Sequence, residues 1–187
     1  MATEVIVRAL LAALALLAGG TAAADAWQGD RASGVLQFVA MQAGAKFTGS
    51  FEQYDVRFDF DPARPAEGRL DVMVVLASAD TADPERDEIL KGREFLWAER
   101  HPQANFHATK FRRTGARWRA DGELTLRGIA HPVSVLFTLD RKPGFLGMKG
   151  GATFRRLAFG VGQGEWASTE WIGDEVEVRF DLKLEKR

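Results

Sequence analysis

The chain has 187 residues, 25 of them basic and 26 acidic, and a net charge of −1, so it carries no overall field that would attract nucleic acid or an anionic membrane. It contains no cysteine, which excludes disulfides, thiolate or iron–sulfur metal sites, a thiol nucleophile and a lipidated N-terminal cysteine. With 46% hydrophobic and 27% charged residues it has the composition of a soluble globular protein, long enough for one domain with a sizeable core.

Residues 1–24 read as a cleaved secretory signal. Arg8 is followed by an apolar run from Ala9 to Ala18, by Gly19 and Gly20, and by the small residues Thr21-Ala22-Ala23-Ala24 before Asp25. That run falls well short of the ~20 apolar residues needed to cross a bilayer, which weighs against an uncleaved anchor. The pattern predicts an exported protein, with residues 25–187 as a single domain that shows no repeat, linker or low-complexity tract.

Strands are predicted near 33–42, 47–60, 67–78, 103–113, 117–127, 131–141, 148–158 and 174–186, divided by Gly- and Pro-containing turns. The last has the clearest pattern: Val176, Val178, Phe180, Leu182 and Leu184 alternate with Glu175, Glu177, Arg179, Asp181, Lys183 and Glu185. A period of two gives a strand one dry and one wet face, the signature of an antiparallel sheet whose other side meets water. One helix is expected between the third and fourth strands, capped by Asp83, started by Pro84 and stopped at Gly92, with a further short turn over Phe95, Leu96 and Trp97 ending at His101-Pro102. The pattern is all-β, an antiparallel barrel or sandwich with a short helical insertion. Thirteen Phe against one Tyr favour an interior that offers nothing polar, either a large packed core or an apolar pocket.

Three blocks carry a family resemblance. The first is Ala77-Ser78-Ala79-Asp80-Thr81, Glu85-Arg86-Asp87, Leu90, Lys91, Phe95, His101-Pro102 and Ala104-x-Phe106. The second is Gly122-x-Leu124-Thr125-Leu126-Arg127-Gly128 with His131-Pro132-Val133. The third is Arg156-x-x-Phe159-Gly160-Val161-Gly162 with Trp166, Ala167, Ser168, Trp171 and Asp174-Glu175-Val176. With Gln42-Ala43-Gly44-Ala45 and Phe47-x-Gly49-x-Phe51, the chain resembles the YceI-like family over nearly all of residues 25–187. The third block is similar to the branch found beside, or fused to, membrane cytochrome b561 domains. The resemblance implies a lipocalin-like antiparallel barrel of about eight strands, exported to the periplasm, whose interior holds an isoprenoid, polyprenyl or ubiquinone-like amphiphile. It makes a membrane cytochrome b561 a candidate partner and leaves a homodimer open. One departure is Gln42, where many members carry a histidine.

The residues expected to line such an interior are Phe38, Phe51, Phe58, Leu76, Phe106, Leu124, Phe137, Phe154, Phe159 and Phe180. Trp166 and Trp171 flank a loop, 162–173, that would form a lid over a bound tail or a docking surface for a membrane partner, or else simply anchor the loop to the core. Arg86, at the helical insertion, offers a cation to an anionic or quinone head group, or else fastens the helix with Asp87 to the turn 78–81. Arg155 and Arg156 raise the same choice, because an inward arginine needs a partner or a ligand. Catalytic signals are weak. His101, His107 and His131 lack metal-ligand spacing, Ser134 and Ser168 lack a nucleophile elbow, Gly160-x-Gly162-x-Gly164 lacks the setting of a dinucleotide loop, and Asp174-Glu175 starts a solvated face. The expected activity is therefore binding without a cofactor or metal, and the chain is read as no enzyme. Two rivals are an enzyme acting on a lipid or quinol in the same pocket and a small outer-membrane barrel. The barrel rival fits poorly with one Tyr, a charged outer face and the ending Glu185-Lys186-Arg187.

Overall fold

The structure, a computed structural model, describes residues 24–187, so the leader expected at 1–24 lies outside the described residues apart from Ala24. The alternating segments form β1 (Ala26–Asp30), β2 (Gly34–Gln42), β3 (Ala45–Phe51), β4 (Tyr54–Asp59), β5 (Arg69–Val75), β6 (Ala79–Asp80), β7 (Gln103–Thr114), β8 (Arg117–Leu126), β9 (Ile129–Lys142), β10 (Phe145–Arg155) and β11 (Glu175–Lys186). All pairings are antiparallel, in the order β1-β4-β5-β7-β8-β9-β10-β11, and β11 pairs with both β1 and β2 to close the ring. β1 and β2, β3 and β4, and β5 and β6 are halves of three long strands bent in the middle, which gives a closed up-and-down barrel of eight strands. The sequence reading placed those eight strands but missed β1, which has only five residues, one of them Gly29.

The bends are local chemistry. Asp30 accepts from Ala32 N at 2.8 Å while its own N–H donates to Ser33 Oγ at 3.0 Å, forming a capping box around one helical turn between β1 and β2. Gly34 follows at φ 152°, where a Cβ would strike the Asp181 carbonyl of the neighbouring strand. Such kinks increase strand twist and let a small barrel close. A bulge between Ala108 and Lys110 switches the parity of β7, so that Ala104, Phe106 and Ala108 point inward and then Phe111 does.

Helix α1 (Pro84–Lys91) stands as expected, with Asp83 Oδ1 accepting from Arg86 N at 3.1 Å and Gly92 at its end. It packs on the barrel through Asp87, whose Oδ1 accepts from Thr81 N at 2.8 Å and from Thr81 Oγ1 at 2.7 Å.

The up-and-down order sorts the connections between two ends. One end carries both ends of the described chain and the connections 61–68, 115–116 and 143–144. The other carries the tight turn 43–44, the long segment 81–102 with α1, the turn 127–128 and the loop 156–174.

Candidate functional site

Inward-facing positions fill the two halves of the barrel differently. Toward the end with the short connections, Phe58 stacks on Phe60 at 5.0 Å between ring centres, and Phe111, Phe137 and Trp118 meet this pair at 4.9–5.9 Å. Phe58, Phe60, Phe137, Leu70 and Leu184 are almost wholly buried there, so this half is packed solid. Gly150 makes room for Phe137, whose Cβ would lie 2.7 Å from a Cβ at that position.

Toward the other end the interior is hollow. A cavity of about 210 Å³ has an entirely apolar surface. Its walls are strand residues such as Leu36, Ala40, Val72, Val74, Ala104 and Phe106 on one side and Val133, Val135, Ala152, Phe154, Val178 and Phe180 on the other. Leu90 of α1, Phe95, Leu96, Val161 and Ile172 roof it. Inward apolar side chains such as Val72, Val74, Leu124, Phe154, Val178 and Phe180 are only half-buried, because one side of each meets this space and not another side chain. A water needs ~10–15 Å³ of such space and two to four polar partners. There is room for many waters and nothing to hold one.

The roof is fastened by Arg156, which is 2% exposed. Its guanidinium donates only to backbone carbonyls of the following loop: Nε to Gly173 at 2.9 Å, Nη1 to Val161 at 2.8 Å, and Nη2 to Trp166 at 2.9 Å, Ile172 at 2.8 Å and Ser168 at 3.4 Å. Burial pushes its pKa down and nearby Asp174 pushes it back up. Gly162, at φ 83°, leaves the space that the guanidinium occupies. Asp174 accepts from Leu157 N at 3.1 Å and lies 3.6 Å from the exposed Arg155.

Of the expected lining residues, Phe38, Phe51, Leu76, Phe106, Leu124, Phe154 and Phe180 border the cavity, and Arg156 borders it with its guanidinium committed to the loop. The others stand elsewhere. Phe58 and Phe137 point inward but belong to the solid half, interlocked at 5.8 Å. Phe159 is buried behind Phe154 and against His131, at 5.3 and 5.1 Å. Trp166 packs on Phe95 at 5.5 Å beneath the loop, whereas Trp171 is 67% exposed. Arg86 pairs with Asp83 at 2.8 Å and lies over the outer side of the Phe47 ring at 4.7 Å, outside the cavity. Asp87, and not Arg86, therefore ties the helix to the 78–81 turn. Ala40, Phe47, Val72, Val74, Ala104, Val135, Ala152 and Val178 also border the cavity and were not among the expected lining residues. Inward parity is the sequence signal for these positions, and small side chains such as Ala40, Ala104 and Ala152 carry it weakly.

Among the described residues no three or more potential metal ligands gather. His107 Nδ1 lies 2.6 Å from Asp71 on the outer face, His131 Nε2 lies 3.0 Å from the Ala158 carbonyl, and His101 packs against Trp97 at 5.6 Å. Gln42 is exposed and bridges to Ile172.

Comparisons with known proteins agree with this architecture. The chain is 34% identical over 128 residues to a UPF0312 protein of Yersinia pestis and 36% identical over 85 residues to one of Photorhabdus laumondii. The matched stretches span 66% and 44% of those relatives' lengths. The crystal structure of Burkholderia cenocepacia BcnA superposes with a TM-score of 0.79 at 30% identity, covering 82% of this chain and 98% of that one. A polyisoprenoid binding domain from Saccharophagus degradans, implicated in plant cell wall breakdown, superposes with a TM-score of 0.66 over 88% of this chain and 99% of that one; at 12% identity this likeness concerns the fold alone. The model of the YceI-like domain matches residues 27–184, from the first turn of the ring at Trp27 to the last buried leucine, and the chain belongs to the YceI-like family.

Proposed function

We propose that the protein is an exported binding protein of the periplasm that holds the hydrocarbon tail of an isoprenoid or quinone-like amphiphile in the hollow half of its barrel. The observation that carries this reading is the apolar cavity of about 210 Å³ beneath α1 and the 156–174 loop. An empty space of that size costs on the order of 5 kcal/mol at ~24 cal/mol per Å³, comparable with the whole stability of a small domain. A chain could close the hole by exchanging Ala40, Ala104 or Ala152 for larger residues, so the hole is better understood as a place for a ligand. Burial of a tail gains ~0.8 kcal/mol per methylene, and affinity then grows with tail length. The polyisoprenoid binding named for the Saccharophagus domain of the same fold supports this class of ligand.

A carrier fits better than an enzyme because, among the described residues, the space is bordered by apolar side chains and a single charged one. That residue, Arg156, spends its hydrogen bonds on loop carbonyls. Specificity for a head group then has to come from the roof, and the likeness of the third sequence block to chains beside cytochrome b561 makes such a membrane protein a candidate recipient. Mass spectrometry of organic extracts from natively purified protein tests the reading. The expected result is a stoichiometric polyprenyl-type compound, returned unchanged after incubation. Protein that yields no lipid and takes up no added polyprenol, or that converts it, overturns the carrier reading.

A further inference from the structure

We infer that the hollow end of the barrel docks on an anionic lipid bilayer through the sector around Trp97. This rests on the carrier reading for its purpose, since an apolar cargo has to be collected from a membrane, but its evidence is separate. Arg93, Arg100 and Arg127 converge on one indole, their guanidinium carbons 5.3, 5.1 and 5.6 Å from the centre of the Trp97 ring. Arg127 is held there by donating from Nη1 to the carbonyls of Arg93, at 2.7 Å, and of Phe95. Among the described residues none of the three forms an ion pair with a carboxylate, although three like charges around one ring repel each other. At the opposite end several cations are paired with carboxylates: Arg141 and Lys186 lie 2.6 and 3.0 Å from Asp25, Arg187 lies 2.9 Å from Asp59, and Arg64 lies 3.1 and 3.0 Å from Asp61 and Glu67. One arginine, Arg113, lies over Trp118 there and donates to the Gly115 carbonyl, whereas three gather at Trp97.

Apolar exposure is just as one-sided. Among the described residues the exposed large apolar side chains are Val35 on the barrel wall and Ile89, Ile129 and Trp171, the last three being 48%, 40% and 67% exposed. These three lie at the hollow end, Ile89 on α1, Trp171 in the 156–174 loop and Ile129 as the first residue of β9, two residues after Arg127. The Trp97 sector also lies directly over the cavity: Phe95, Leu96 and Leu126 line the space, while their neighbours Trp97 and Arg127 form the cluster outside it. Arginine with tryptophan and isoleucine is the combination that suits the head-group layer, where cations meet lipid phosphate and the rings and methyls reach the acyl boundary.

The whole chain has a net charge of −1, and the rim also carries Glu85, Glu88, Glu94, Glu99, Glu165 and Glu170. Attraction is therefore local to the arginine cluster, acts within a Debye length of ~8–10 Å, and requires this sector, not the acidic α1, to face the lipid.

Co-sedimentation of the exported chain with phosphatidylcholine vesicles, with and without one third phosphatidylglycerol, tests the inference. The expected result is preferential binding to the anionic vesicles that disappears at high salt, weakens about tenfold or more in Arg93→Glu/Arg100→Glu, and weakens without change of salt dependence in Ile129→Ser. Arg93 and Arg100 are exposed, and unchanged far-UV dichroism and extractable lipid in the double variant keep the comparison interpretable. Equal binding with and without phosphatidylglycerol, wild-type binding by the double variant, or no binding to either vesicle overturns the docking face. A wild type rich in extractable lipid that ignores vesicles overturns docking while supporting the carrier. One that prefers anionic vesicles yet carries no lipid supports docking while overturning the carrier.

Discussion

The two halves of this barrel are made of the same alternating strands and closed by the same ladder of hydrogen bonds, yet one is solid and the other hollow. In the packed half the inward positions hold Phe58, Phe60, Phe111, Phe137 and Trp118, each ring within 6 Å of another. In the hollow half, the mid-wall positions hold Ala40, Ala104, Ala152 and valines, and the rings of Phe38, Phe106, Phe154 and Phe180 stand around a space without filling it. The connections follow the same division, short on the packed end and long, helix-bearing and roof-forming on the other. The difference teaches that stability is concentrated where the rings interlock, which leaves the remaining half free to keep a void.

The largest effect that would break this comparison comes from the packed half. Phe137→Ala, at a fully buried position, is expected to cost about 3–5 kcal/mol, read as a lower urea midpoint; a loss below ~1 kcal/mol would mean that this half is not the stabilising one. Next is Arg156→Met, which leaves the carbonyls of Val161, Trp166, Ile172 and Gly173 without their donor. The expected loss is about 3 kcal/mol, with hydrogen exchange rising first in 160–174 and a leaking roof that releases lipid faster.

Filling substitutions sharpen the contrast. Ala120→Leu, in the packed half and fully buried, is expected to cost about 1–3 kcal/mol by overpacking, whereas Ala152→Leu on the cavity wall leaves stability within ~1 kcal/mol and lowers the lipid that co-purifies. Equal costs for the pair would show that the space is not available. The smallest effect is electrostatic. The hydrogen bonds from Arg141 and then Lys186 hold the Asp25 carboxyl below the usual carboxylate range. Since its folded pKa is below its unfolded one, its contribution is present above about pH 4 and fades as the pH falls through the folded value. Asp25→Asn should therefore cost less than ~1 kcal/mol at neutral pH and flatten that part of the acid limb.

Much of this was legible in the sequence because it is local. The period of two in 175–186, the Asp83-Pro84 start and Gly92 stop of α1, and the alternating runs of 103–142 report their own geometry. β1 was missed because five residues around Gly29 give too short a pattern. The division into solid and hollow halves was not legible, since parity says only that a side chain points inward. Whether Phe137 borders a void or another ring depends on Phe58 arriving from a distant strand and on Gly150 leaving room beside it. Arg156 posed the opposite problem: an inward cation suggested a ligand, and the carbonyls that satisfy it come from a loop whose path no strand pattern encodes.

The most direct test is a titration of delipidated protein with a water-dispersed polyprenol, followed by methyl NMR. Methyl signals of Val72, Val74, Val135 and Val178 are predicted to shift and saturate together, while those of Val56, Leu70 and Leu184 in the packed half stay in place. No saturable shift in the first group, or equal shifts in both, would contradict a barrel that is solid at one end and open to a hydrocarbon chain at the other.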